Sequence, residues 1–236
     1  THLPDKPDDD KQKNRRRGSR CTDGYENAKF LVPLDVRNDE QIAEVMAKTK
    51  DEFGSVDFLL HSVAFASLDD LKVDTIESSR DGFLLAMEIS AYSLLAICNA
   101  AKEIMASPSS IATMTYLGGE QCVPGYNVMG VCKAALDACM KYAAHDLGPR
   151  GIRVNAISAG PLKTLASSAV GAKGMEALYE HMSPLCRNIT HDDVAGAGAY
   201  LLSEMSGGVT GEILHVDGGY NIMGSPGRLL DKFGNG

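Results

Sequence analysis

The chain reads as a single α/β domain built on a mostly parallel, doubly wound sheet. Three observations predict this. Short apolar runs alternate with helical-period stretches from Lys29 to Val216. Successive runs are separated by segments long enough to cross over, which parallel pairing requires. The runs are continuously apolar, as strands covered on both faces are. With 236 residues, 44% of them hydrophobic and 23% charged, the chain is large enough to hide roughly 70% of its unfolded surface.

The elements follow in order. Residues 1–27 hold acids (Asp5, Asp8, Asp9, Asp10) and then a basic run (Lys11, Lys13, Arg15, Arg16, Arg17, Arg20); low apolarity and high charge predict a mobile charged loop. The domain proper spans residues 28–223. Residues 30–36 are an apolar run with Asp35 near its end, a buried strand by pattern. Asn38 caps the next helix, with Gln41 placed to complete a capping box; Ile42, Val45, Met46 and Phe53 supply its apolar face and Gly54 ends it. Residues 56–60 are the next strand. A long helical stretch covers 79–105, with Phe83, Met87, Leu94, Leu95 and Ile97 facing inward. Residues 111–115 form a strand, 125–147 a helix ended by Gly148 and Pro149, and 152–157 a strand. Residues 173–182 are helical. Thr190, with Asp193 at the box position, caps a helix running to about Ser203. Residues 213–216 are the last strand, and 224–236 a Gly-rich polar tail.

Charge and composition exclude several classes. The 23 basic and 31 acidic residues leave a net charge of −8, the wrong sign for a general nucleic-acid binder. No run of about 18 apolar residues is present, so no membrane span is expected. Leu3 is the one large apolar residue in the first 20, which does not make a secretory signal. The six cysteines form no C-x-x-C pair and have no histidine at zinc spacing, so they are expected to be reduced thiols of a cytoplasmic protein, with no metal.

The stretch that carries chemistry runs from Tyr116 to Lys133. Tyr126 and Lys133 are seven residues apart, nearly two helical turns, so on a helix both side chains leave one face. Gly130 between them would leave that face open for a ligand. An ammonium beside a phenol favours negative charge on the phenol and on any oxygen it touches. The pair follows a strand ending at Thr115 and a Gly-containing turn, and ligands of doubly wound sheets sit outside the carboxyl ends of strands.

Several segments then carry a resemblance: Leu34-Asp-Val36, His61-Ser-Val-Ala-Phe-Ala66, Thr115-Tyr-Leu-Gly118, Tyr126-Asn-Val-Met-Gly-Val-Cys-Lys133, Arg153 through Pro161, Thr164-Leu-Ala166 and His215-Val-Asp-Gly-Gly219. In order and spacing the chain resembles the enoyl-[acyl-carrier-protein] reductases of bacterial type II fatty-acid synthesis, a branch of the short-chain dehydrogenase/reductases with a Rossmann-like fold. Ordinary members of that superfamily have Asn-Asn-Ala-Gly where this chain has residues 61–64, and lack a tyrosine ten residues before the catalytic one; here Tyr116 precedes Tyr126 by ten.

The resemblance implies hydride transfer from NADH to the β-carbon of a trans-2-enoyl thioester, with the basic run leaving NADPH open. Tyr126 would stabilise the oxygen on which charge develops, Lys133 would hold the nicotinamide ribose, and Tyr116 would line the acyl pocket. Asp35 and Val36 would meet the adenine. Ser62, Val63 and Thr115 would line the cofactor, and Leu162, Lys163, Thr164, Leu165 and Ala166 would cover its nicotinamide and pyrophosphate. Ala66, Tyr116 and Tyr126 would contact substrate. Residues 162–182 are expected to form a lid. Implied partners are acyl carrier protein and further copies of the chain, as a homotetramer. A ketoreductase is the alternative in the same fold; it wants a serine about thirteen residues before the tyrosine, where Thr113 stands. A non-catalytic fragment is the other alternative, because no G-x-G-x-x-G precedes a helix. Residues 1–4 look like the end of a second strand, so a first βα unit of on the order of 35–40 residues is expected to be missing.

Overall fold

The computed structural model describes residues 27–162 and 172–232. Its elements are α1 (Asp39–Phe53), β1 (Val56–His61), α2 (Leu68–Lys72), α3 (Arg80–Met87), α4 (Ser93–Ala101), β2 (Met105–Thr115), α5 (Val128–Leu147), β3 (Ile152–Ala159), α6 (Ala172–Met182), α7 (His191–Leu202) and β4 (Ile213–Val216). The four strands are parallel and lie in sequence order. One register row joins His61, Thr113, Ala156 and Ile213.

Side chains alternate across this sheet. Ile111, Val154 and Ala156 meet Leu94 and Cys98 of α4 and Leu136, Met140 and Ala144 of α5 in the main core. On the opposite face the Ser110 hydroxyl donates to the Leu201 carbonyl of α7 at 2.7 Å. Arg153 reaches the same helix end, donating to the carbonyls of Leu201 and Ser203 at 3.1 and 2.9 Å. It thereby satisfies carbonyls that a helix C-terminus leaves free. Thr190 caps α7 in a full capping box with Asp193, as its spacing predicts.

Three expectations need correction. Residues 30–36 join no ladder; Leu31 and Leu34 are exposed, and Phe30 packs on Phe53 of α1 at 6.1 Å. A strand needs a neighbour for its N–H and C=O groups, and among the described residues none lies along the outer edge of β1. Phe58 and Leu60 of β1 are 59% and 53% exposed for a related reason: they share the α7 face, but α7 packs mainly on β2, β3 and β4. Second, Asn38 caps α1, accepting from Gln41 N at 2.8 Å, yet the Gln41 side chain reaches past it to Asp35 N, also 2.8 Å. Third, the long helical stretch divides into α3 and α4 around a π-turn at Glu88–Tyr92. By length and composition Arg80–Ala101 could cross a membrane, but Leu94, Ile97 and Cys98 are buried inside the fold, as in a core helix. In the tail, Gly227–Lys232 forms a 3₁₀ segment. The charged segment 1–26 lies outside the described residues.

The π-turn presents two buried serines. Ser90 Oγ accepts from Phe65 N and donates to Phe65 O, both at 2.9 Å, which fixes the loop after β1. Ser93 donates to the Ile89 carbonyl at 2.7 Å, so its oxygen accepts from His61 Nε2 at 2.9 Å. That assigns the His61 tautomer: Nδ1 is the acceptor and takes the Thr113 hydroxyl at 2.8 Å. Burial, and then the Lys133 charge, push the His61 pKa from 6.5 down to about 4.

The unfolded chain therefore binds a proton between these two values that the folded chain refuses. His61 contributes its full share of stability above pH 6.5, and that share is lost as pH falls toward 4, a change of about 3 kcal/mol. Urea melts across this range should show a shallower acid loss for His61→Gln, which keeps polar partners without titrating there. An identical pH slope in the variant would contradict the assignment.

Candidate active site

The carboxyl ends of β1 and β2 and the start of α5 converge on one group of side chains. Lys133 lies on α5 and is only 6% exposed. Its Nζ donates to the Met114 carbonyl at 2.7 Å, beside the end of β2. Burial lowers its pKa to about 8, against the opposing pull of Asp137. An ammonium has three donors, so two more are available beside that strand end.

Tyr126 lies in the turn before α5, whose first residue is Val128. This corrects the expectation that both partners sit on the helix. Asn127 makes the turn with φ 46°, and its Nδ2 donates to the carbonyls of Leu71 and Val73 at 2.8 and 2.7 Å. This anchor was legible only as part of the Tyr-Asn pair, with no sign of its role. Burial holds the Tyr126 phenol well above its usual pKa, helped by Tyr116, Cys132 and Asp137. It is therefore a proton-bearing donor throughout the physiological range. The Tyr116 ring meets the Tyr126 ring edge-on, with centroids 4.7 Å apart, an attractive aromatic geometry.

Three glycines let the parts close up. A Cβ at Gly118 would collide with the Tyr126 ring and stand 3.2 Å from Tyr116 Cδ1. One at Gly119 would come within 2.8 Å of the Lys133 backbone, and one at Gly130 within 2.9 Å of the Gly118 carbonyl. Gly130 thus lets the turn after β2 lie on the helix face, and it is also among the residues that line a cavity there. A cavity of about 340 Å³ borders this turn, lined by residues 118–124, Tyr126, Asn127 and Val131 among others.

Beyond Tyr116 lies a residue the sequence did not single out. Tyr179 of α6 is 1% exposed; its hydroxyl is 3.4 Å from that of Tyr116, and its ring stacks on Tyr220 at 4.0 Å. Half of the expected lid is thereby tied to the tyrosine pair, and residues 163–171 lie outside the described residues.

The other expected positions are distributed as follows. Ser62 is exposed and Val63 half-buried just past the end of β1. Ala66 packs into a small cluster with Ala86, Val128 and Cys132. Thr115 is buried, and its hydroxyl lies toward the Asp137 carboxylate, whose charged form it favours. Val36 is buried, whereas Asp35 is half-exposed and engaged by Arg37 at 2.6 and 2.9 Å. That guanidinium holds the Asp35 carboxyl below its usual pKa. Leu162 is half-buried, and Lys163, Thr164, Leu165 and Ala166 lie outside the described residues. Thr113 is fully buried with its hydroxyl given to His61, so it is not directed at a substrate.

A nicotinamide dinucleotide fits what is present. The spare Lys133 donors at the end of β2 suit the hydroxyls of a ribose.

Comparison with known proteins agrees. The family model described as enoyl-(acyl carrier protein) reductase matches residues 8–221. The chain belongs to this family. It is similar to the NADH-dependent enoyl-[acyl-carrier-protein] reductase of Bacillus cereus, 46% identical over 214 residues, which are 90% of this chain and 83% of that one. The corresponding enzyme of Rickettsia conorii is 51% identical over 197 residues, 83% of this chain and 76% of its own. A crystal structure of the Bacillus cereus reductase with NADP+ and indole naphthyridinone superposes with a TM-score of 0.84, at 46% identity, over 90% of this chain and 82% of that one. Family membership places Tyr126 and Lys133 in a reductase fold, and the glycine contacts explain how they are packed there.

Gly118→Ala should displace the Tyr126 ring. Turnover is expected to fall by up to the order of 10²-fold, the cost of roughly 1 Å of misplacement, with the melting temperature lowered by a few degrees from the overpacking. Wild-type turnover in this variant would show that the close approach is dispensable.

Proposed function

We propose that the chain reduces the carbon–carbon double bond of a trans-2-enoyl thioester carried on acyl carrier protein, with NADH as the reductant. The observation that carries this reading is the Tyr116–Tyr126 pair set against Lys133 at the end of β2, with Thr113 withdrawn into the His61 network. A ketoreductase would need that hydroxyl facing its substrate.

Bound dinucleotide supplies the hydride. Lys133 would hold its ribose, with Thr115, Ser62 and Val63 lining the site and Asp35 and Val36 at the adenine, and the role of Leu162, Lys163, Thr164, Leu165 and Ala166 would be to cover its nicotinamide and pyrophosphate. Tyr126 donates a hydrogen bond to the thioester oxygen, where negative charge accumulates as the β-carbon is reduced. Its elevated pKa keeps that proton in place, and the nearby ammonium adds positive potential. The α-carbon then takes a proton from solvent. Tyr116, edge-on to Tyr126 and joined to Tyr179, would wall the acyl side, and Ala66 would be a further substrate contact. NADPH is the alternative reductant, since the Bacillus cereus relative carries NADP+ in its crystal structure.

Assembly and location belong to the same proposal. Tyr92, Val131 and Tyr142 leave large side chains exposed along the π-turn and α5, a surface suited to further copies of the chain, as a homotetramer. The buried free thiols of Cys98 and Cys132 suit the reducing cytoplasm.

The test is NADH oxidation with crotonyl thioester. Tyr126→Phe should lose roughly 10²-fold or more in turnover, and acetoacetyl thioester should not be reduced. Lys133→Met should weaken NADH binding and turnover together. Because Lys133 must be protonated to hold its role, wild-type turnover should fall as pH rises through about 8. Unchanged turnover in Tyr126→Phe would sink the assignment.

A further inference from the structure

Helix α5 carries a second buried charged side chain that the reaction above does not use. Asp137 stands one turn beyond Lys133 and is 5% exposed. Among the described residues neither of its carboxylate oxygens makes a hydrogen bond of good geometry; the buried hydroxyl of Thr115, at the end of β2, is the polar group that acts on it and favours its charged form. The turn after β2 seals the group in: a Cβ at Gly119 would stand 2.7 Å from Asp137 Oδ2. A buried carboxylate is costly, and one neutral hydroxyl does not compensate its charge. One helical turn away stands a cation, the equally buried ammonium of Lys133.

We propose that Asp137 is a positioning residue, the buried counter-charge that keeps Lys133 protonated and held beside the Met114 carbonyl. The proposal rests on the roles given above to Lys133 and Tyr126. The surrounding charges are few. Lys141 on α5 and Glu120 in the turn after β2 act on Asp137, and Glu120 is itself paired with His215 at 2.7 Å. His61 on β1 feels Lys133, Tyr126 feels Asp137, and Cys132 borders Lys133 on its own helix. Of these, Asp137 is the leading influence that favours the charged form of Lys133.

Asp137→Asn keeps the shape and removes the charge. In the intact chain, NMR titration of the Lys133 side-chain nitrogen should show its pKa fall by on the order of one unit, and Asp137→Glu should restore it. The alkaline limb of the turnover profile should move down by the same amount, while KM for the enoyl thioester stays within about twofold. Linkage makes the effect reciprocal: Lys133→Met should raise the Asp137 carboxyl pKa equally, a second measurement should Asp137→Asn fail to fold. A Lys133 titration that stays put in Asp137→Asn, or an Asp137 titration that stays put in Lys133→Met, overturns the proposal even if activity falls. Moved titrations in a chain that reduces no thioester would uphold the coupling and sink the reductase reading instead.

Discussion

The rest of the site depends on one buried ammonium. Lys133 is held at the end of β2 by a single hydrogen bond to the Met114 carbonyl, in surroundings that favour its neutral form. Such a group is tolerated only where a rigid frame fixes it and compensating charge is near. The frame is the packing of α5 on the sheet through Leu136, Met140, Ala143 and Ala144. The chain then spends three small residues, Gly118, Gly119 and Gly130, on bringing the turn after β2 against that helix. The same closeness delivers Tyr116 and Tyr126 to each other and seals Asp137.

The His61 network explains why this framework favours one chemistry over another. In a related fold, a hydroxyl at the Thr113 position would assist carbonyl reduction. Here the π-turn brings Ser93 to His61, Ser93 fixes the tautomer, and His61 Nδ1 takes the Thr113 hydroxyl. Proton delivery to a carbonyl oxygen loses a member, whereas stabilising charge on a thioester oxygen needs only Tyr126 and the nearby cation. Lys133 also acts on His61 from a distance, so the two buried bases cannot both be charged cheaply.

Much of this was legible because it depends on local pattern. Thr190 with Asp193, Asn38 as a cap, Gly54 as a stop and the strand at Ile213–Val216 are decided by a few neighbouring residues, and all appear as read. The Tyr126–Lys133 spacing was visible too, although Tyr126 stands before the helix and not on it. What could not be read needed partners distant in sequence. Residues 30–36 have the composition of a strand, but pairing belongs to the neighbour as much as to the segment. Tyr179 and Asp137 are ordinary helix residues in sequence; only the fold brings one to Tyr116 across 63 positions and buries the other beneath Gly119. Gly130 was read as room for a ligand and does line the cavity, but sequence cannot show that the Gly118 backbone lies against it as well.

The central claim is that the tyrosine pair and Lys133 direct hydride to the β-carbon of an enoyl thioester. Transfer of isotope tests it most directly. Crotonyl thioester incubated with the chain and NADH deuterated at the nicotinamide C4 should give butyryl thioester with one deuterium on C3, seen by mass spectrometry. Recovery of unreduced crotonyl thioester, with deuterium appearing instead in 3-hydroxybutyryl thioester when acetoacetyl thioester is supplied, would contradict the account.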